Sequence, residues 1–122
     1  MSASTSSRRM GLEQRDLLRT LAYCYLQHGH PGRALPLLRL LLELDAADRH
    51  AADSLACALV RLGRGEEALE VMQQMSAFHD ATALSFLLRA QALAMLGRMP
   101  EAARAMRRFV ALRREANTGD PD

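Results

Sequence analysis

The chain has 122 residues and a formal net charge of +2, and all 16 of its basic residues are arginine. This length is enough for one small domain with its own hydrophobic core, and so small a net charge argues against a nucleic-acid partner. The most apolar run, residues 35–44, is too short to span a membrane and contains Arg39 and Glu43. The composition therefore favours a single globular domain.

The N-terminal segment, positions 1–11, is mostly small and polar, and we predict a flexible tail there. Arg8 and Arg9 resemble the arginine pair of an export signal, but polar residues follow them instead of an apolar stretch. We therefore predict a cytoplasmic protein. Residues 117–122 are also polar and are predicted to form a short C-terminal tail.

Two sets of small residues recur at one constant interval along the chain: Gly29, Gly63 and Gly97, and Ala34, Ala68 and Ala102. A glycine can end a helix at little cost because it adopts a positive φ angle without strain. A further set of alanines with the same spacing allows two helices to approach closely: Ala22, Ala56 and Ala90. The spacing predicts three copies of a helix-turn-helix unit, over residues 15–48, 49–82 and 83–116.

This interval and this placement of small residues resemble the tetratricopeptide repeat (TPR), whose period is about 34 residues. The resemblance implies an all-α fold in which three helix-turn-helix repeats stack as a short right-handed solenoid, here over residues 12–116. It also implies a protein that binds other proteins. Two residues depart from the pattern: Arg89 stands where a leucine is expected, and Pro36 predicts a kink or a late start in its helix.

The sequence contains no group of side chains with the spacing of a catalytic or metal site. His28 and His30 cannot share a helix face, because residues two apart point in different directions. Cys24 and Cys57 lack the spacing of metal ligands, and we expect both thiols to be reduced and mostly buried. We therefore predict that the protein is not an enzyme and has no catalytic residue, no metal and no cofactor.

In a stack of such repeats, the first helix of each repeat lines a concave groove. The side chains that these helices do not use for packing are predicted to bind a partner, and most of them in the third repeat are apolar. An exposed apolar stripe commonly marks an interaction site. The predicted binding residues are Tyr23, Leu26, Gln27, Cys57, Val60, Arg61, Leu84, Leu87, Leu88, Gln91 and Met95.

The central positions of the three groove helices are Tyr23, Cys57 and Gln91. TPR proteins that hold the acidic C-terminus of a heat-shock chaperone use Lys, Arg and Asn as a carboxylate clamp, so we expect an apolar helix or extended segment as the ligand here. A tail of this chain or a second copy could also fill the groove. The last helix presents another apolar surface, a candidate for self-association: Met106, Phe109 and Val110.

The first repeat has the most distinctive sequence. Residues 21–30 read Leu-Ala-Tyr-Cys-Tyr-Leu-Gln-His-Gly-His, and Arg33, Ala34 and a leucine-rich helix over residues 37–44 follow. This stretch resembles the small YscY-type chaperones of bacterial type III secretion systems. The resemblance implies a cytosolic virulence chaperone that forms a heterodimer with a small YscX-type export protein and keeps it soluble. It also implies a link to the cytoplasmic domain of the export gate in the inner membrane.

Two alternatives stay open. The chain could be another TPR chaperone of type III secretion, of the translocator or needle-subunit class, although translocator chaperones have an additional N-terminal helical region. It could also be a generic TPR adaptor that is unrelated to secretion.

Overall fold

The computed structural model describes the backbone of residues 2–118 and the side chains of residues 11–118. This part of the chain forms six α-helices and no strand, which confirms the all-α prediction. The helices are α1 (Ser2–Gln27), α2 (Pro31–Leu44), α3 (Arg49–Arg61), α4 (Gly65–Met75), α5 (Ala83–Met95) and α6 (Met99–Thr118).

The helices repeat with the period that the sequence predicts. α3 begins at Arg49 and α5 begins at Ala83, the same interval that separates Gly63 from Gly97. α2, α4 and α6 begin at that interval too, at Pro31, Gly65 and Met99. The pairs α1–α2, α3–α4 and α5–α6 are therefore three units in a common register.

The same hydrogen-bonded turn ends the first helix of each unit. Gly29, Gly63 and Gly97 have φ angles of 77°, 76° and 76°, a left-handed conformation that residues with a Cβ rarely adopt. The N–H after each glycine donates to a carbonyl five residues earlier: His30 to Tyr25 (2.8 Å), Arg64 to Leu59 (2.8 Å) and Arg98 to Leu93 (2.9 Å). These bonds satisfy carbonyls that a helix end would otherwise leave unpaired, which explains why glycine recurs here.

Each helix packs mainly against its neighbours in the chain, and α3 also contacts α5. This sequential packing is compatible with TPR-like repeats. The predicted small residues are all at most 6% exposed: Ala22, Ala34, Ala56, Ala68, Ala90 and Ala102. The main core includes the fully buried Leu41 and Leu59, and a smaller cluster around Leu93 joins α5 to α6.

The sequence predicted that Pro36 either kinks its helix or delays the start of that helix. The delayed start is wrong. α2 begins at Pro31, in register with α4 and α6, and continues through Pro36 to Leu44. In a helix, the missing N–H of Pro36 would bond to the carbonyl of Gly32. Gly32 is exposed, so water can solvate that carbonyl instead.

α1 begins at Ser2, so residues 2–11 lie on a helix where the sequence predicted a flexible tail. Extending an existing helix adds one backbone hydrogen bond for each residue that is fixed, which favours continuation once α1 has formed. At the other end, α6 includes residues 117 and 118. Met1 and the predicted tail residues 119–122 lie outside the described residues, and the domain boundaries stay predictions.

An ion pair joins the first unit to the second. Arg19 of α1 donates to both carboxylate oxygens of Asp48, at 3.2 and 2.5 Å. Asp48 is the N-cap of α3 and accepts a hydrogen bond from the Ala51 N–H at 3.1 Å. Burial alone would raise the pKa of Asp48, but the hydrogen bonds from Arg19 and Ala51 outweigh it, and the pKa lies below its ordinary value of 3.8.

Replacing Asp48 with alanine is expected to lower the free energy of unfolding by about 2 kcal/mol at neutral pH, because a helix cap and an ion pair are lost together. Asp48→Asn keeps a capping oxygen and should cost about 1 kcal/mol. Arg19 is partly exposed, with 35% of its side chain accessible, which keeps both values modest.

The same ion pair predicts a pH dependence of stability. The pKa of Asp48 is lower in the folded chain than in the unfolded chain, so its contribution is complete above the unfolded-state pKa and is lost as the pH falls through the folded-state pKa. Urea unfolding at about pH 7 and about pH 3 would test this. The stability difference between the wild type and Asp48→Asn should shrink in acid, and a constant difference would contradict the role given to Asp48.

Candidate partner-binding surface

The predicted binding residues lie on α1, α3 and α5, the first helix of each unit. Three large apolar side chains among them are exposed: Tyr23 (58%), Leu84 (47%) and Met95 (47%). Three polar ones are also exposed: Gln27, Arg61 and Gln91. Three are half-buried: Leu26, Cys57 and Leu87. Apolar contact area is therefore accessible on α1 and on α5.

Val60 and Leu88 do not reach the surface. Val60 is 9% exposed and Leu88 is 3% exposed, and both belong to the main core. α3 contacts α2, α4 and α5, so few of its faces remain open. The prediction that these two side chains contact a partner is not compatible with their burial; they support the surface from beneath.

The structure brings the predicted residues of α1 and α3 together. The Arg61 guanidinium donates to the carbonyl oxygen of Leu26 at 3.0 Å. Leu26 and Cys57 both pack against the main core. α5 contacts α3, which connects the third group of predicted residues to the other two.

A second exposed apolar surface lies on α6, as the sequence predicts. Met106 is 39% exposed and Val110 is 38% exposed, and Phe109 is half-buried. Met72, the equivalent of Met106 in the second unit, is only 7% exposed, because α4 packs against α5. Met106 therefore occupies a position that the inner unit uses to hold the unit after it.

A third apolar surface, which was not predicted from the sequence, lies on α1. Leu17 is 59% exposed and Leu21 is 41% exposed. Their equivalents in the second unit, Ala51 and Leu55, are 0% and 3% exposed, because α3 packs against α2. The repeat period could have indicated this, because α3 is covered by the helix before it, α2, whereas no helix of the described residues covers the equivalent face of α1.

Because this face of α1 is uncovered, the expectation that both cysteines are mostly buried is wrong in part. Cys24 is exposed and Cys57 is half-buried, whereas both were expected to be mostly buried. Cys24 occupies the position of Ala58, which is 0% exposed in the second unit. The burial of a position in one unit therefore does not carry over to the first.

A small cavity of about 40 Å³ lies beside Asp53 of α3. Burial raises the pKa of Asp53 above 3.8, and the attraction of Arg49 and His79 offsets this only in part. Both of these residues line the cavity, together with Met72 and other residues. This volume has room for only about one or two water molecules, whereas pockets for organic ligands are far larger.

In the part of the chain that the structure describes, no three His, Cys, Asp or Glu side chains converge as metal ligands. None of the described helices combines the length and the hydropathy that crossing a bilayer requires. No protein-family model matches the chain, and no curated protein is significantly similar to it in sequence.

Proposed function

We propose that this chain is a cytoplasmic TPR chaperone of a type III secretion system. In this proposal the three units stack as a short solenoid whose first helices line a groove, and the groove binds a small YscX-type export protein. The bound export protein would be kept soluble and would be presented to the cytoplasmic domain of the export gate. The resemblance of residues 21–44 to YscY-type chaperones supplies the identity of the client.

The observation that carries the proposal is the exposure of large apolar side chains on the helices predicted to line the groove. Tyr23, Leu84 and Met95 are each close to half exposed or more. Burying such a side chain in a complex stabilises it by roughly 1.5–3 kcal/mol. In the proposed solenoid the three first helices would bring these side chains to one face, and an exposed apolar patch commonly marks a binding site.

The chemistry of the same helices favours an apolar client segment. The central positions are Tyr23, Cys57 and Gln91, which cannot act as the paired cations that hold a terminal carboxylate. An amphipathic helix or an extended segment with apolar anchors matches such a surface. Self-association through Met106 and Val110 of α6 belongs to the same proposal as a second mode of binding.

The test is co-expression of the tagged chain with a YscX-type export protein, followed by affinity purification. Leu84→Arg is expected to weaken binding by at least about tenfold, because a charge replaces an apolar contact. Leu40→Arg is the matched control, since Leu40 is similarly exposed (41%, against 47% for Leu84) but lies on α2, outside the predicted groove. Isothermal titration calorimetry on the purified proteins would give the two affinities.

Loss of binding in Leu84→Arg alone would support both the client and the groove. If both variants bind the export protein as tightly as the wild type does, the client would be supported but the site would not lie at Leu84 on α5. If the wild-type chain does not bind the export protein, the secretion role is wrong, and a generic adaptor becomes the better interpretation.

A further inference from the structure

Positive charge is concentrated in the last helix. α6 contains five arginines and two glutamates, although the whole chain has a net charge of only +2. Arg104, Arg107 and Arg108 follow one another at helical spacing and are all exposed. Residues three and four apart lie on the same side of a helix, so their charges are close together.

Arg89 of α5 adds a charge at a position that the second unit uses for its core. The equivalent residue, Leu55, is 3% exposed, whereas Arg89 is half-buried. Removing part of a guanidinium from water is unfavourable unless a partner replaces the lost hydration. The aliphatic stem of Arg89 can account for this burial, which leaves its guanidinium available to a ligand.

An aromatic ring holds two of these arginines near each other. The Arg89 and Arg108 guanidiniums lie 5.7 and 5.5 Å from the centre of the Phe86 ring. Both distances suit a cation–π contact, which orients a guanidinium without neutralising it. These three residues line a surface depression with a volume of about 220 Å³, and Arg104 lines it too. We call Phe86, Arg89, Arg104 and Arg108 the arginine face.

Among the described residues, no carboxylate forms an ion pair with Arg89, Arg104 or Arg108, although Glu101 attracts Arg104 at longer range. The ion pairs within residues 11–118 are Arg15–Asp45, Arg19–Asp48, Arg39–Glu67, Arg64–Glu67 and Arg98–Glu101. Glu101 also lines the depression, but it accepts hydrogen bonds from Arg98 at 2.9 and 2.8 Å. Three guanidiniums thus lie around one depression with donors free for an external acceptor.

We propose that the arginine face binds an acidic segment of a partner protein. Asp and Glu side chains accept two parallel hydrogen bonds from a guanidinium, a geometry that a lysine cannot provide. Glu66, Glu70 and Glu101 line the adjoining groove, which α4, α5 and α6 form, so the basic area is confined to the depression. A short acidic segment fits within it, whereas a nucleic acid fits less well because its longer phosphate chain would extend over those carboxylates. This face shares no residue with the predicted groove, so the proposal does not depend on the client proposed above.

The experiment measures binding of a fluorescently labelled oligoglutamate peptide to the full chain by fluorescence anisotropy. An oligoglutamine peptide of the same length is the control for charge, and a single-stranded DNA oligonucleotide is the competing anion. Oligoglutamate is expected to bind at low ionic strength and to be released as the Debye length falls towards about 3 Å. Oligoglutamine should not bind.

Two double variants with the same change in net charge locate the site. Arg104→Gln/Arg108→Gln is expected to weaken oligoglutamate binding by about tenfold. Arg113→Gln/Arg114→Gln removes two exposed arginines from the same helix, outside the arginine face, and should weaken it by less than about twofold. Because all four side chains are exposed, both variants should unfold at nearly the same temperature as the wild type.

Equal weakening by the two double variants would overturn the proposal, because the binding would then reflect net charge alone. Absence of oligoglutamate binding, or equal binding of oligoglutamine, would also overturn it. Tighter binding of the DNA oligonucleotide, lost in Arg104→Gln/Arg108→Gln, would reassign the face to nucleic acid.

Discussion

Replacing Leu59 with alanine is expected to lower the free energy of unfolding by about 3 kcal/mol. Leu59 is 0% exposed and is one of the largest fully buried side chains. It lies on α3, which contacts α2, α4 and α5, so several helices would have to move together to fill the cavity. Domains of this size are stable by only about 5–15 kcal/mol, which makes the loss a large fraction of the total.

Urea or guanidinium unfolding followed by circular dichroism would measure this loss. Leu62→Ala is the matched control, because Leu62 stands three residues later at the end of the same helix and is 39% exposed. Leu62→Ala should lower the free energy of unfolding by less than about 1 kcal/mol. Equal losses for the two variants would contradict the placement of Leu59 in the main core.

Gly65→Val is expected to cost about 2 kcal/mol, because it forces α4 away from α5. A Cβ atom on Gly65 would lie 3.0 Å from the carbonyl oxygen of Ala92 and 3.5 Å from the side chain of Leu96. Valine is branched at Cβ, so it cannot turn both of its methyl groups away from this contact. Thermal unfolding should show a clearly lowered midpoint for the variant.

Gly32→Val is the control for the intrinsic effect of valine in the first turn of a helix. No atom lies within 4 Å of a Cβ placed on Gly32, so the substitution meets open space. Valine forms helices slightly better than glycine, and the stability should be unchanged or raised by a few tenths of a kcal/mol. If Gly32→Val were as destabilising as Gly65→Val, the close contact of α4 with α5 would not be the cause.

The equivalent of Gly65 in the third unit is Met99, which is 58% exposed. A further helix could not approach α6 there as closely as α5 approaches α4 at the buried Gly65. The exposed apolar face of α6 is therefore not a simple copy of the contact between the second and third units. A partner on this face would need a different shape from another repeat of the same kind.

The helix register could be predicted from the sequence because it depends on local chemistry. Each of the three turns requires a positive φ angle, and Gly29, Gly63 and Gly97 provide it once in every unit. The alanines at the helix contacts were predictable for a similar reason, since only a small side chain allows such an approach. Both features are encoded within a single unit.

Features that depend on neighbouring units were harder to predict. Leu21 and Leu55 are the same residue type at equivalent positions, but Leu55 is covered by another unit and Leu21 is not. The pairing of Arg19 with Asp48 joins residues 29 positions apart, and no short pattern in the sequence indicates it. Such contacts exist only once the units have packed.

The candidate binding residues also divide into those whose exposure could be predicted from one unit and those whose burial depends on neighbouring units. The sequence predicted that packing within each unit does not use Tyr23, Leu84 and Met95, and these three side chains are exposed. It failed for Val60 and Leu88, which the other helices cover in the packed structure. Whether the exposed members bind a partner stays a prediction.

The sequential packing of the helices has a consequence for the speed of folding. The main contacts join helices that follow one another in the chain, or α3 and α5, so the segments between contacting residues are short. Closing a short loop costs less chain entropy than closing a long one. Helical domains dominated by such local contacts fold within microseconds to milliseconds. We expect this chain to regain its shape quickly after any unfolding event, before its apolar segments can associate with those of other chains.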